Sequence, residues 1–339
     1  MRALVVLIAV SATLGAQPRL VNAKLDTRPA AAGLEREYRS IADAAAAPEW
    51  IGYMVPAIAG DHRECCWNGD SSCRCLLEDG HAATVSGGTE KLESSGRIAV
   101  LIRVENKQAG KVRVYSENCE LDAGGLAFHW LTDVRPSESV ALLAGFVTGG
   151  DHLSDSAIMA IAQHEDQAAD RALNEFVGPA RPEAIREKAT FWLGASRGKR
   201  GYEVLRRVVR EDPSDELRSK AVFALSINKT PEAVDSMIDA AKNDRSAHVR
   251  SQALFWLAQK SGQKAAATIT NAILNDPDTE VKKHAVFSLS QLPKEQGVPL
   301  LIQTARNNRN PEVRKQAMFW LGQSQDPRAL AFFEEVLKR

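Results

Sequence analysis

The chain has 339 residues, of which 44% are hydrophobic and 25% charged, as in an ordinary soluble globular protein. Basic and acidic residues both number 43, and this balance argues against nucleic acid as a partner, because nucleic-acid-binding proteins usually carry a basic excess. Beyond the N-terminal residues, no stretch approaches the ~18 uncharged apolar residues of a membrane-spanning helix. We therefore expect no membrane span after the N terminus.

The N-terminal residues are typical of a secretory signal peptide. A short positive start precedes the uncharged apolar run Ala3–Gly15, and small residues follow at positions that signal peptidase reads. We predict a signal peptide over residues 1–23 with cleavage after Ala23; cleavage after Gly15 or Ala16 is the alternative. An uncleaved anchor or a buried helix is the competing interpretation. The pattern predicts a secreted or periplasmic protein.

All five cysteines precede residue 120, and such clustering in an oxidising compartment favours disulfides. A zinc site completed by His62 or His81 and free thiols are the alternatives. The cysteine spacing does not match the two-residue gap of zinc knuckles, so we expect no metal. An odd count leaves one thiol over or an intermolecular partner. The disulfide candidates are Cys65, Cys66, Cys73, Cys75 and Cys119.

Residues 24–135 are predicted to form a small β-rich domain that contains this cysteine cluster. A helix is expected over 34–46. The β-rich run 97–104, a turn of Asn-Lys-Gln-Ala-Gly and the alternating run 111–115 predict a hairpin with one solvated face. A further strand is expected over 126–131.

A 32-residue repeat replaces the strand pattern in residues 136–339. Five copies of one amphipathic segment keep an aliphatic residue, then Arg or Lys, then Ala, Phe and Leu at fixed positions. A strict period of this length predicts a solenoid of helix pairs. Less regular copies at both ends extend the array to six helix pairs and a closing helix. The invariant Phe column is Phe191, Phe223, Phe255, Phe287 and Phe319.

In the last four of the five copies an Asp or Asn also stands six residues before the Arg or Lys. This pattern resembles HEAT repeats, specifically the short bacterial units similar to those of phycobilisome lyases, over more than half of the chain. The resemblance implies a mostly α fold and a ladder of hydrogen bonds between repeats. Because Ala180 stands where Asp would precede Arg186, we expect the ladder to begin one repeat later. Its expected members are Asp212, Arg218, Asp244, Arg250, Asp276, Lys282, Asn308 and Arg314.

The Phe column lies roughly 120° around the helix from the aliphatic column, at about 100° per residue. One interpretation is sideways packing of Phe between neighbouring repeats. The other is an aromatic stripe on a binding groove, with Lys188, Lys220 and His284 as its polar surround. The Trp residues of alternate repeats, such as Trp256, are expected in the core.

Recognisable enzyme motifs are absent from the sequence. HEAT-like di-iron hydroxylases carry repeated His-Glu pairs, whereas this sequence has a single pair, His164–Glu165, which we expect in a solvated turn. We predict a non-catalytic, cofactor-free exported scaffold that binds a protein or peptide on the solenoid surface. The alternative is a HEAT-like enzyme, bilin-lyase-like or di-iron hydroxylase-like. The partner, the disulfide connectivity and the oligomeric state stay open.

Overall fold

The structure, a computed structural model, describes residues 18–59, 74–78, 96–117 and 119–338. These residues divide into two compact units. The first unit contains the described residues up to Phe146 together with His164–Asp166, and the second contains Val147–Gln163 and the chain from Gln167 onward. The described helices include none that is long and apolar enough to cross a membrane.

The first unit combines strands with two helices. Their bounds are β1 Arg19–Val21, β2 Lys24–Pro29, α1 Leu34–Ala44, β3 Glu49–Pro56, β4 Arg74–Leu76, β5 Arg97–Glu105, β6 Gln108–Ser116, β7 Glu120–Asp122, β8 Ala127–Thr132 and α2 Pro136–Gly145. A mixed sheet has the order β2-β8-β3-β5-β6, and a smaller parallel sheet has the order β1-β7-β4.

Strands β5 and β6 form the predicted hairpin. The strands pair in antiparallel register up to Glu105 opposite Gln108. The two residues between them, Asn106 and Lys107, have φ angles of 52° and 64°, and a two-residue turn with both φ angles positive suits the right-handed twist of the strands it joins.

The expectation of one solvated face is wrong for β5, in which Ile98 to Ile102 are all buried. A hydrophobic cluster that includes Leu101, Phe128 and Trp130 covers one face of the sheet. On the other face α2 packs against β3. Both faces of the central strands are therefore covered, which a local alternation pattern does not reveal.

Helix α2 belongs to the first unit, so the division between units falls after Phe146 rather than before Pro136. Its Ser139 hydroxyl donates to the Tyr53 hydroxyl at 2.9 Å and lies 2.8 Å from Nε2 of His164. All three side chains are buried, and burial raises the pKa of Tyr53. The expectation of a solvated turn at His164 is wrong, because its ring belongs to a buried polar network.

The second unit is a row of helices with the predicted 32-residue period. Their bounds are α3 His152–Gln163, α4 Gln167–Phe176, α5 Glu183–Ser196, α6 Gly198–Glu211, α7 Asp215–Ile227, α8 Ala233–Asn243, α9 Ala247–Asn275, α10 Thr279–Ser290, α11 Lys294–Asn307, α12 Pro311–Gln323 and α13 Pro327–Leu337. Helix α9 is two helices joined at a break, where Ser261 and Gly262 leave helical geometry.

Each repeat pairs a first helix with a second helix. The second helices are α3, α5, α7, the first part of α9, α10 and α12, and consecutive members pack side by side. In the described part of this unit, α3 begins the row without a first helix, because α2 lies in the other unit, and α13 closes it.

A column of small buried residues brings each first helix close to the preceding second helix. A Cβ atom on Gly201 would lie 2.0 Å from the carbonyl oxygen of Leu193, and one on Gly297 would lie 2.4 Å from that of Leu289. Such contacts are shorter than any real packing distance. The column is Gly201, Ala233, Ala265, Gly297 and Ala329.

Candidate interaction surface

Eight aromatic rings form a continuous row across five second helices, from α5 to α12, and we call this row the aromatic ladder. Each ring contacts the next, with centroids between 4.7 and 6.3 Å apart. In order of contact the ladder is Trp192, Phe191, Phe223, Trp256, Phe255, Phe287, Trp320 and Phe319.

Two kinds of contact alternate along the aromatic ladder. Phe255 and Phe287 stack with centroids 5.8 Å apart and planes only 5° from parallel, and Phe191 and Phe223 stack at 6.3 Å and 21°. The contacts that involve Trp are tilted or edge-on, the arrangements that the charge distribution of aromatic rings favours. Trp256, for example, lies 4.7 Å from Phe223 and 4.9 Å from Phe255.

The alternation follows from the sequence position one residue after Phe. This position holds Trp in every second repeat, and Ala224 and Ser288 in the repeats between. Each of Trp256 and Trp320 therefore contacts both its own Phe and the Phe of the preceding repeat. The aromatic ladder thus repeats every two units.

The aromatic ladder lies at the protein surface. Phe319 is 53% exposed and Phe191 is 37% exposed, and the other three Phe side chains are half-buried. The Phe column therefore packs sideways between repeats, as the first interpretation predicts, and also faces solvent. A binding groove along it stays a prediction. The three Trp side chains are half-buried rather than in the core.

An open cavity of about 570 Å³ lies at the first end of the aromatic ladder, with Phe191, Trp192 and Phe223 among its lining residues. Both lysines of its lining form ion pairs. Lys188 Nζ lies 2.8 Å from the Asp155 carboxylate, and Lys220, also in the lining, pairs with Glu216 at 3.2 Å. The third polar candidate, His284, is exposed on α10.

The arginines of the repeats form a buried ladder with aspartates of the following repeat. Arg218 donates from Nε and Nη2 to the two carboxylate oxygens of Asp244 at 2.8 and 2.9 Å, and from Nη1 to the carbonyl oxygen of Asp212 at 2.9 Å. Hydrogen bonding to Asp244 raises the pKa of Arg218. Arg250 repeats the arrangement with Asp276.

The arginine ladder begins one repeat earlier than the sequence predicts. Arg186 donates to Asp212, while its Nε donates to the carbonyl oxygen of Val177, a bond for which no aspartate is needed at position 180. At the other end Asn308 donates to the carbonyl oxygen of Ile273 at 3.3 Å, and Arg314 Nη1 donates to the Asn308 carbonyl at 2.8 Å.

The same aspartates organise the turns before the second helices. Asp212 and Asp276 accept from the backbone N–H two residues later, at 3.0 and 2.9 Å. The helix caps are the residues in those later positions, including Ser214, Asp278 and Asn310. The Asp side chain therefore shapes the turn, and the residue two positions later caps the helix. Both are common roles for short polar side chains.

Of the predicted disulfide candidates, Cys75 and Cys119 are buried in the hydrophobic cluster of the first unit. The cysteines at 65, 66 and 73 and the histidines at 62 and 81 lie outside the described residues, so the disulfides stay a prediction. Across the described ranges, no group of three or more His, Cys, Asp or Glu side chains is placed to hold a metal ion.

Comparison with known proteins matches the repeat itself. The HEAT-repeat family matches residues 173–258 and 266–339. The helical array of this chain is built of HEAT repeats. No curated protein matches the chain in sequence.

Several solved structures are similar to the HEAT array. The complex of CpcE and CpcF of phycocyanin lyase from Nostoc sp. PCC7120 is 23% identical, with 46% of this chain and 99% of that chain covered and a TM-score of 0.35. Human deoxyhypusine hydroxylase is 15% identical, with 59% and 90% covered and a TM-score of 0.29. The S. pombe condensin Cnd3-Cnd2 subcomplex is 18% identical, with 56% and 28% covered and a TM-score of 0.37.

Sequence reasoning did not single out one column of the HEAT array. Gln259, Gln291 and Gln323 recur at the 32-residue spacing, each four residues after a Phe of the aromatic ladder. Residues four apart are neighbours on a helix surface, so this amide column borders the ladder. The 32-residue spacing of these glutamines could have revealed the amide column from the sequence, had exposed polar positions been compared between repeats.

Proposed function

We propose that this protein is an exported, non-catalytic scaffold that binds a protein or peptide partner through the aromatic ladder of its HEAT array. The observation that carries this proposal is the continuity of the ladder at the surface. Eight rings in mutual contact, two of them more than one-third exposed, make an apolar strip in a polar surround.

The energetics of protein interfaces support this use of the surface. Aromatic side chains supply much of the binding free energy at interface centres, where a polar rim excludes water. The rings are also held by their neighbours in the ladder, so little side-chain freedom is lost when a partner binds. Ion pairs such as Lys188 with Asp155 provide a polar rim around the first end of the strip.

A matched pair of variants tests the proposal. Phe319→Ser removes the most exposed ring of the aromatic ladder, and Leu274→Ser removes a side chain of similar exposure, 59% against 53%, on a first helix. We expect a cross-linked partner from the native source to be lost with Phe319→Ser and kept with Leu274→Ser, while thermal unfolding of the two variants stays alike. Equal capture by both variants would exclude the ladder as the binding surface.

Metal analysis and the absorbance spectrum of the purified protein address the enzyme alternative. A stoichiometric metal or a bound chromophore would favour the HEAT-like hydroxylase or lyase. A colourless, metal-free protein that retains its partner in the capture experiment would favour the scaffold.

Export is part of the proposal. The apolar N-terminal run and the clustering of all five cysteines before residue 120 support it, because disulfides persist in oxidising compartments. Mass mapping of non-reduced peptides tests this point: we expect cysteine-containing peptides joined in pairs, and five free thiols would argue against export.

A further inference from the structure

We propose that the ligand of the aromatic ladder is an extended peptide segment of low net charge, whose main chain is hydrogen-bonded by the amide column Gln259, Gln291 and Gln323. This inference rests on the proposed function and specifies the partner's conformation and chemistry.

Four of the five Phe rings of the aromatic ladder stack face to face in pairs. Phe255 and Phe287 lie nearly parallel at 5.8 Å, and Phe191 and Phe223 stack in the same way. A ligand that needs open ring faces, such as a sugar ring, finds those faces occupied in the direction of the array. Ring edges and the gaps between rings remain, and aliphatic side chains fit such apolar gaps.

The amide column offers hydrogen-bond partners to the main-chain N–H and C=O groups of an extended peptide, which have none within the peptide itself. Gln259 and Gln323 are exposed, and Gln259 Nε2 donates to Gln291 Oε1 at 3.5 Å, so the amides of these two successive repeats are neighbours. A glutamine amide has two donor hydrogens and an oxygen with two lone pairs. Gln291 uses one donor on Ser290 and one lone pair on Gln259, so each amide keeps a donor and an acceptor that match the N–H and C=O groups of an extended chain. A helical ligand has satisfied these groups internally and gains nothing from the column.

A cavity of about 170 Å³ lies where the amide column and the aromatic ladder meet. Gln291, Gln323 and Trp320 line it together with the apolar side chains of Leu292 and Leu301. The exposed Lys294 also belongs to the lining and is its charged residue. An apolar base with amide groups at the rim suits one aliphatic side chain of a peptide whose main chain passes over the amides.

The charges beside the aromatic ladder are paired or of both signs, which favours a partner of low net charge. Glu187 and Lys315, four residues before Phe191 and Phe319, carry opposite charges. Lys188 pairs with Asp155 and Lys220 with Glu216, and Lys283 pairs with Glu280 at 3.0 Å. A strongly acidic or basic ligand would have to compete with these existing ion pairs.

The dimensions set the length of the segment. Neighbouring packed helices lie about 8–10 Å apart, so the five second helices of the ladder span roughly 32–40 Å. An extended chain rises about 3.3 Å per residue and covers this span with about 10–12 residues.

A random peptide display library with inserts of about twelve residues, selected on the full chain, tests the inference. Labelled peptides from the selection are then titrated by fluorescence anisotropy. We expect neutral sequences with apolar residues at alternate positions. Their affinity should fall about fivefold for each amide removed by Gln259→Ala, Gln291→Ala or Gln323→Ala. The control Gln303→Ala alters an exposed amide on a first helix and should leave affinity unchanged.

Two further measurements separate failure of the inference from failure of the proposed function. N-methylation of alternate peptide amides should abolish binding if the main chain is recognised. Binding that depends on Phe319 but tolerates N-methylation, or that strengthens when the peptide is stapled as a helix, would overturn the inference and leave the scaffold proposal standing. If cellohexaose but no peptide binds in a Phe319-dependent way, or if no ligand depends on Phe319, both proposals fail.

Discussion

At the scale of single residues, the arginine ladder accounts for the basic residue that each copy of the repeat keeps directly after its aliphatic position. The side chains of Arg218 and Asp244 are 1% and 5% exposed, so both charges have left water. The guanidinium recovers the lost hydration through two bonds to the carboxylate and one to the carbonyl oxygen of Asp212. Removing one partner leaves the other charge buried and uncompensated.

We therefore expect Arg218→Ala to lower the free energy of unfolding of the full chain by about 3–5 kcal/mol, the cost typical of breaking a buried ion pair. The control Arg206→Ala removes a 50% exposed arginine that lies 3.3 Å from Glu203, and exposed pairs contribute less than about 1 kcal/mol. Urea denaturation followed by circular dichroism measures both. Equal midpoints for the two variants would show that the ladder does not hold the repeats together.

At the scale of elements, the spacing between helices depends on positions that carry almost no side chain. Gly201 on α6 lies so close to α5 that a Cβ atom would come within 2.0 Å of the Leu193 carbonyl oxygen. That oxygen belongs to the backbone and cannot rotate away. The two helices would have to separate, and the packing of α6 against α7 would change with them.

Gly201→Ala is accordingly expected to destabilise the HEAT array by about 1–3 kcal/mol, as overpacking of a tight contact does. Gly322→Ala is the matched control: it also lies in a helix, and a Cβ atom there would meet no atom within 4 Å. Because Ala favours helix by about 1 kcal/mol over Gly, this control should be neutral or stabilising. Thermal unfolding of the two variants should thus shift in opposite directions, and a shared direction would contradict the close approach.

Sequence patterns predicted the helices of the array well because a helix repeats its contacts every few residues along its own chain. They did not predict whether side chains on the two sides of a second helix are packed or exposed. A solenoid helix has neighbours on both sides, so Phe255 both stacks on Phe287 and remains half-exposed, and the angle around a single helix cannot distinguish these states. The buried environment of His164 was missed because Ser139, which contacts its ring, and Tyr53, which contacts Ser139, lie far away in the sequence.

At the scale of the whole molecule, the first unit was the harder part to predict. Its sheet depends on parallel pairing of β2 and β3 with β8, which joins segments far apart in sequence. Local alternation identifies a strand, but strand order follows from contacts that only the folded chain makes. The small sheet β1-β7-β4 consists of three-residue strands, too short to produce a pattern.

Strand β1 bears on where the signal peptide ends. It pairs with β7, and Arg19 lies 3.0 Å from the Glu120 carboxylate. The amide of Asn22 donates to Asp122 at 2.8 Å. Leu20 packs against the hydrophobic cluster of the first unit. Cleavage after Ala23 would remove all of these contacts and expose one edge of β7.

We therefore expect N-terminal sequencing of the exported protein to begin at Ala16 or Gln17. These are the termini that cleavage after Gly15 or after Ala16 would leave. A chain that begins at Lys24 serves as the comparison. Because it lacks the apolar contact of Leu20 and the pairing along β7, it should unfold at a lower temperature than a chain that begins at Gln17. A mature N terminus at Lys24, with equal stability of the two chains, would instead mean that β1 adds nothing to the exported fold.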